Sequence, residues 1–255
     1  MSAVSAVARL GSPRLHLRRT DSTNERAREL AAGGAPNGTL VTATEQTAGH
    51  GRQGRSWSAP AGSSLLLSVV LSPPSRMLPL AAAVAVCEAV DAAPGAERRG
   101  PAQIKWPNDI VLPRPPSLAK LAGILVEARV GGPQESWAVL GIGLNAAVEI
   151  DTLPVELRDT AATMGLASAD LETLLASLLE TLSTRLAEPP EQTLAAWSAR
   201  DALRGRRVEW APPGESPQGG GVAEGIDGDG RLVVALDGGG QTTLSSGEVH
   251  LRPLG

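Results

Sequence analysis

The chain of 255 residues contains no phenylalanine and no tyrosine. Its five tryptophans cannot fill an interior by themselves, so the core must be built from Leu, Val, Ile and Ala. One cysteine, Cys87, excludes an internal disulfide. Within the run LPLAAAVAVCEAV it reads as a small buried hydrophobe, which suits a reducing cytoplasm. His16, His50 and His250 lack metal-ligand spacing, so a structural zinc site is not expected. No segment reaches the ~18 apolar residues of a membrane span. The N-terminal arginines follow the apolar stretch, the reverse of a secretory signal. There is no Gly-x-Ser-x-Gly elbow and no Walker A loop, and no clear dinucleotide fingerprint. Lysine is nearly absent: Lys105 and Lys120 are the whole supply. With a net charge of -4, the chain is a poor general binder of nucleic acid.

What is present reads as one large domain with a small appendage, long enough to bury a core without staples. Residues 21 to 32 are expected to be a helix, with Ser22 and Glu25 spaced as a capping box. Strands are expected over 38–46, 63–72, 121–130 and 136–148, and in IKW and DIVL on either side of Pro107-Asn108. Helices are expected over 77–91, 169–187 and 191–204, the second carrying leucines along one face. Beyond residue 205 short strands alternate with Gly, Asp and Pro turns, as in a small all-β unit. The expected division is a tail at 1–13, a main domain at 14–204 and a β domain at 205–255.

Both lysines fall in the most strand-like, apolar part of the chain, IKWPNDIVLPRPPSLAKLAGILVEA. A lysine there must reach water or meet an anion. The loop GHGRQGR (49–55) offers free backbone N–H groups and arginine forks, a combination suited to phosphate or carboxylate. GIGLN (141–145) lets backbone approach a ligand closely at two glycines. Each segment alone also fits a plainer role: a solvated lysine at a strand edge, an Asn-Asp turn, a bulge or a surface loop.

Taken together, DSTN (21–24), EQTAGHGRQGRSW (45–57), KWPND (105–109), KLAGIL (120–125), GIGLN and the terminal GEVHLR (247–252) resemble the biotin–protein ligases in order and spacing, from about residue 14 onward. The resemblance implies an α+β fold. A central mixed or antiparallel sheet carries helices on one face, as in class II synthetases, and a small SH3-like barrel follows. It implies joining of biotin to the α-phosphate of ATP, giving biotinyl-5′-AMP, and transfer of the biotinyl group to a lysine of a biotin carboxyl carrier domain of a carboxylase. The resemblance places Ser22, Thr23, Gln46, Gly49, Arg52, Lys120 and Gly123 at biotin. It places Gly51, Arg52, Gly54, Arg55, Trp57, Lys105, Asn108, Lys120, Asn145 and Arg252 at ATP. Arg52, Lys120, Lys105 and Asp109 would carry the chemistry, with Asp109 on a magnesium ion.

Two departures stand out. His50 takes a position where many members carry arginine; it donates one hydrogen bond when neutral and two when protonated, so retention of the intermediate is expected to depend more on pH. The glycine loop begins at residue 49, which leaves no room before it for a DNA-binding domain, so no operator binding is expected. A monomer or weak homodimer is expected, since an open sheet edge permits pairing. Other readings remain open: a lipoate or octanoyl transferase of the same fold, a biotin-sensing regulator without catalysis, and an α/β protein whose basic residues are merely solvated.

Overall fold

The computed structural model describes residues 9–96, 100–132, 135–211 and 218–245, with the backbone of Glu248–Leu251. A seven-stranded sheet organises the larger part. Its strands are β1 (Arg14–Leu17), β2 (Leu40–Ala43), β5 (Leu65–Leu71), β6 (Gln103–Lys105), β7 (Asp109–Arg114), β8 (Ser117–Arg129) and β9 (Trp137–Leu144). The spatial order is β1-β2-β5-β9-β8-β7-β6. Only β1 and β2 run parallel; the remaining pairs are antiparallel, so the sheet is mixed. Two short strands, β3 (Gly49–His50) and β4 (Ser56–Trp57), form a separate hairpin.

Alternation along the strands sorts side chains between two faces. Leu40, Val69 and Leu140 align in register and point to one face, where they meet α2 (Leu78–Ala92), α4 (Leu171–Ala187) and α5 (Pro190–Ser198). Helix α2 is apolar nearly all round and buried along most of its length, as a helix lying between sheet and outer helices must be. Leu174, Leu175, Leu178 and Leu182 give α4 a buried stripe at helical spacing. Trp106 and Trp197 fill the gaps that a core without Phe or Tyr leaves.

The opposite face carries α1 (Thr23–Ala32), whose Ala27 and Ala31 pack on Val41, Val70 and Val139, and the one-turn α3 (Val155–Arg158), whose Leu157 lines the cavity on that side. The expected single helical layer is thus joined by two short helices on the other side. The small residues of α1 let it lie close to the sheet and leave the rest of that face open. The capping box at Ser22 does not form: Ser22 makes no side-chain cap, and Glu25 instead pairs with Arg28 at 3.1 Å. At the N-terminal side the chain is already held at Gly11, whose N–H donates to Gly38 O at 2.9 Å.

The second unit is a five-stranded antiparallel sheet of β10 (Arg207–Ala211), β11 (Gly219–Ile226), β12 (Leu232–Leu236), β13 (Gln241–Leu244) and β14 (Glu248–Leu251), in the order β13-β12-β11-β10-β14. It is not an isolated appendage. Val208, Ala223, Leu232 and Val234 belong to the same apolar cluster as the main sheet. The indole N–H of Trp106 donates to Gly230 O at 3.0 Å, across to the turn between β11 and β12. The C-terminal unit therefore braces the β6–β7 hairpin from behind.

Candidate active site

The open face of the sheet floors a cavity of about 510 Å³. One row of aligned residues crosses it: Ala43, Leu66, Gly143, Gly123, Asp109 and Lys105, on β2, β5, β9, β8, β7 and β6 in turn. The turn Trp106–Asn108 lies between Lys105 and Asp109 and lets the two face each other across an antiparallel pair.

Lys120 reaches this row by a break in the alternation. On β8, Gly123 pairs with Asp109 and Ala122 with Ile110, but Lys120 pairs with Val111, so Leu121 is an extra residue. Leu121 and Ala122 both point into the core. The bulge reverses the faces on either side of it and delivers Lys120 to the same side as Gly123. The Lys120 ammonium lies 2.7 Å from Asp109 Oδ1 and 5.8 Å from the Trp57 ring centre. Where β9 ends, residues 160–162 take its place: Lys120 N–H donates to Thr160 O, and Ala162 N–H to Lys120 O, each at 2.7 Å.

The glycine loop folds over this row. Hairpin β3–β4 closes through a tight turn in which Gln53 and Gly54 have positive φ, and Gly51 N–H donates to Arg55 O at 2.6 Å. Arg52, Arg55 and His50 project to the cavity from this hairpin. Burial lowers the pKa of Arg52, the neighbouring Arg55 lowers it further, and Asp109 works the other way. An arginine under that influence is poised to gain from an incoming anion while remaining charged. Trp57 lies across Gly143, where a Cβ would stand 2.6 Å from the ring, and its Nε1 donor is buried with no acceptor among the described residues.

The other end of the cavity is polar without being charged. Thr23 N–H and Oγ1–H both donate to Gln46 Oε1, at 2.7 and 2.9 Å. Buried Ser68 reaches Asn24 Oδ1 at 2.6 Å, and Asn24 Nδ2 donates to Glu127 Oε2 at 2.9 Å. Gly141 sits directly opposite the Asn24 amide, and a methyl group there would overlap Asn24 Oδ1. Gly141→Ala should therefore destabilise the fold by ~1–3 kcal/mol through overpacking. A fall in the urea midpoint at unchanged slope would show it, and an unchanged midpoint would mean that Asn24 moves aside freely.

Of the residues expected at the site, Ser22, Thr23, Gln46, Gly51, Arg52, Arg55, Trp57, Lys105, Asn108, Asp109, Lys120 and Gly123 line this one cavity. Gly49, Gly54 and Asn145 do not. Gly49 is packed beneath Trp57 and Gln46. Asn145 is buried and spans Ser64 Oγ at 3.3 Å and Ala162 O at 3.1 Å, which ties the segment beside Lys120 to β5. Arg252 lies outside the described residues. Gly141 and Gly143 of GIGLN line the cavity and also make room for Asn24 and Trp57. The sequence reading missed Asn24 as a site residue, although it stands in the DSTN segment; the signal was a polar residue followed by the apolar side of a helix. Asp109 is the one carboxylate among the described lining residues, and no cluster of three or more His, Cys, Asp or Glu that could hold a metal ion occurs among the described residues.

Comparison with known proteins agrees with this geometry. The model of the Biotin/lipoate A/B protein ligase family matches residues 16–145, and that of the Biotin protein ligase C terminal domain matches 215–252. The chain is 38% identical over 251 residues to a biotin--[acetyl-CoA-carboxylase] ligase of Mycobacterium tuberculosis, covering 91% of this chain and 87% of that one. It is also 38% identical to a bifunctional ligase/repressor of Bacillus spizizenii, over 58% of this chain but only 45% of that protein. Among solved structures, the biotin protein ligase of Aquifex aeolicus in complex with biotin and ATP superimposes with a TM-score of 0.73 at 26% identity, covering 94% of this chain and 98% of that one.

Proposed function

Because the chain belongs to the Biotin/lipoate A/B protein ligase family, we propose that it joins biotin to ATP as biotinyl-5′-AMP and then passes the biotinyl group to a lysine of a biotin carboxyl carrier domain. One observation carries the reading. The only two lysines of the chain, with Arg52, gather round a single cavity whose far wall is an uncharged hydrogen-bonding string. Such a cavity fits a molecule with an anionic end and a polar neutral end.

The chemistry requires that arrangement. A carboxylate must approach a phosphate that is already negative, and two unit charges 4 Å apart repel by about 4 kcal/mol at an effective dielectric of 20. Lys120 and Lys105 offset that repulsion and stabilise the charge that grows on the α-phosphate oxygens as the phosphorus becomes five-coordinate. Arg52 and Arg55 cover the phosphate from the loop, and Trp57 roofs the middle of the cavity. Thr23, Gln46 and Ser22 hold the ureido ring, and Asn108 and Asn145 support the nucleotide end, Asn145 by fixing the segment beside Lys120.

The residues present fit a magnesium ion carried in on the phosphates, which needs only one or two protein carboxylates. Asp109 would hold it, and when bound it would supply further positive charge at the phosphate oxygens. In the second step the anhydride is already activated, and alignment of the acceptor amine provides most of the rate gain. Asp109, the one carboxylate among the described lining residues, would accept that amine's proton.

The uncharged wall favours biotin over lipoate, whose disulfide ring offers no N–H. We take residues 14–204 as the catalytic unit and 205–255 as a bracing β unit. No described helix is long and apolar enough to cross a membrane, and a cytoplasmic location goes with the proposal. Strand β1 is an outer strand of the sheet, which permits a weak homodimer beside the monomer. Incubation with biotin and Mg-ATP, read by mass spectrometry, should yield biotinyl-AMP and pyrophosphate. Lipoyl-AMP from lipoate, with none from biotin, would assign the chain to the family's other branch.

A further inference from the structure

Along β8 the cavity runs from Ser117 and Leu118 at one end, past Lys120 and Gly123, to Leu125 at the other. Leu125 pairs with Gly141, which faces the Asn24 amide, so that end carries the neutral polar wall. The two ends are roughly 20 Å apart at the rise of a strand, with Lys120 between them. At the Ser117 end the wall has another source: Leu157 on α3 and Thr160 just beyond it.

That wall is lightly attached. Within 149–161 the hydrogen bonds are local, as from Leu157 N–H to Pro154 O, Ala161 N–H to Leu157 O and Arg158 Nε to Leu153 O. Val148, Leu153 and Ala161 form an apolar cluster of their own, apart from the main core. Among the described residues, hydrogen bonds from the rest of the chain reach 149–161 from two residues. Lys120 N–H donates to Thr160 O. Arg114, the last residue of β7, supplies the others. Its guanidinium donates to Asp159 O at 2.7 Å and to Ala161 O at 2.9 Å, and reaches Arg158 O at 3.5 Å. These carbonyls stand at and beyond the end of α3, where a helix leaves its last acceptors without backbone partners. A planar fork of donors serves several of them at once. Arg114 is itself held in register, opposite Ser117 in the β7–β8 pair.

We propose that Arg114 is a positioning residue: by clamping the carbonyls of 158–161 to β7 it holds the wall of Leu157 and Thr160 in place before a nucleotide arrives. This rests on the ligase reading and names what prepares the ATP end of the site. Without the clamp the segment opens part of the time, and ATP binds only the closed fraction. Its apparent affinity falls by that fraction. Lys120 stays where the pairing of β8 with β7 holds it, so the chemical step is spared once ATP is bound. The biotin wall, at the far end, is untouched.

The test is biotin-dependent pyrophosphate exchange with Arg114→Ala and Arg114→Lys. The alanine variant should raise the ATP KM about tenfold, with the biotin KM and kcat within about twofold of wild type. Lysine keeps the charge and part of the contact, and should leave the ATP KM only about threefold above wild type. Three results overturn the proposal: an unchanged ATP KM in Arg114→Ala, a lysine variant as impaired as the alanine one, or a parallel loss in biotin KM and kcat, which marks general loosening. Amide hydrogen exchange without substrates reads the clamp itself. The N–H groups of Leu157, Thr160 and Ala161 should exchange about tenfold faster in Arg114→Ala, and rates equal to wild type also overturn the proposal. Failure of the ligase reading looks different: wild-type protein would then show no biotin-dependent pyrophosphate exchange, while the hydrogen-exchange comparison still decides on the clamp.

Discussion

Lys120→Ala is expected to slow biotinyl-AMP formation by about 10²- to 10³-fold, the usual loss when one preorganised charge at a transition state is removed. Stability should barely change. The partner carboxylate Asp109 is near the surface, and the two side chains are 40% and 23% exposed. An ion pair so placed contributes about 0–1 kcal/mol. The prediction thus separates catalysis from architecture: thermal unfolding within a few degrees of wild type, single-turnover adenylation nearly gone. Lys120→Arg should recover only part of the rate, since a planar fork cannot stand between two anions as a point charge does. If Lys120→Ala adenylates biotin at the wild-type rate, the lysine is a solvated strand residue and the proposed chemistry has lost its centre.

Arg52→Gly is expected to give the second large effect, of a different kind. The variant should still make biotinyl-AMP, because Lys120 and Lys105 come from the rigid sheet and not from the glycine hairpin. It should fail to keep it. Arg52 belongs to a loop that covers the site, partly buried and beside Arg55. Loss of a hydrogen bond to a charged group of ~1.5–3 kcal/mol would speed release of the intermediate about 10- to 150-fold. Rapid filtration of pre-formed enzyme-bound biotinyl-AMP measures that rate directly. Retention equal to wild type would show that the hairpin does not touch the intermediate through Arg52.

Most of the scaffold could be read from periodicity. Leucines at helical spacing located α4, and short apolar runs between Gly and Pro located β5, β8 and β9. The grouping of the site could also be read, because a lysine in an apolar strand needs an anion and this chain has so few. Three things could not. Local spacing suggested a capping box at Ser22, but Glu25 found a better partner in Arg28 on the same helix. Alternation along β8 would put Lys120 and Gly123 on opposite faces; only pairing with β7 reveals Leu121 as the extra residue that reunites them. The role of Asn24 depends on Glu127 and Ser68, more than forty residues away in sequence and adjacent only after the sheet forms.

The confinement of both lysines to the cavity has a chemical corollary. An acyl adenylate that escapes its enzyme reacts with whatever unprotonated amine it meets, and the guanidinium groups that supply the rest of this protein's positive charge stay protonated and do not compete. The outer surface therefore carries no lysine to be acylated, and of the two inside, one is held by Asp109. A protein that made such a mixed anhydride would be a poor target for its own product, and the label would be left for the amine that is brought to it.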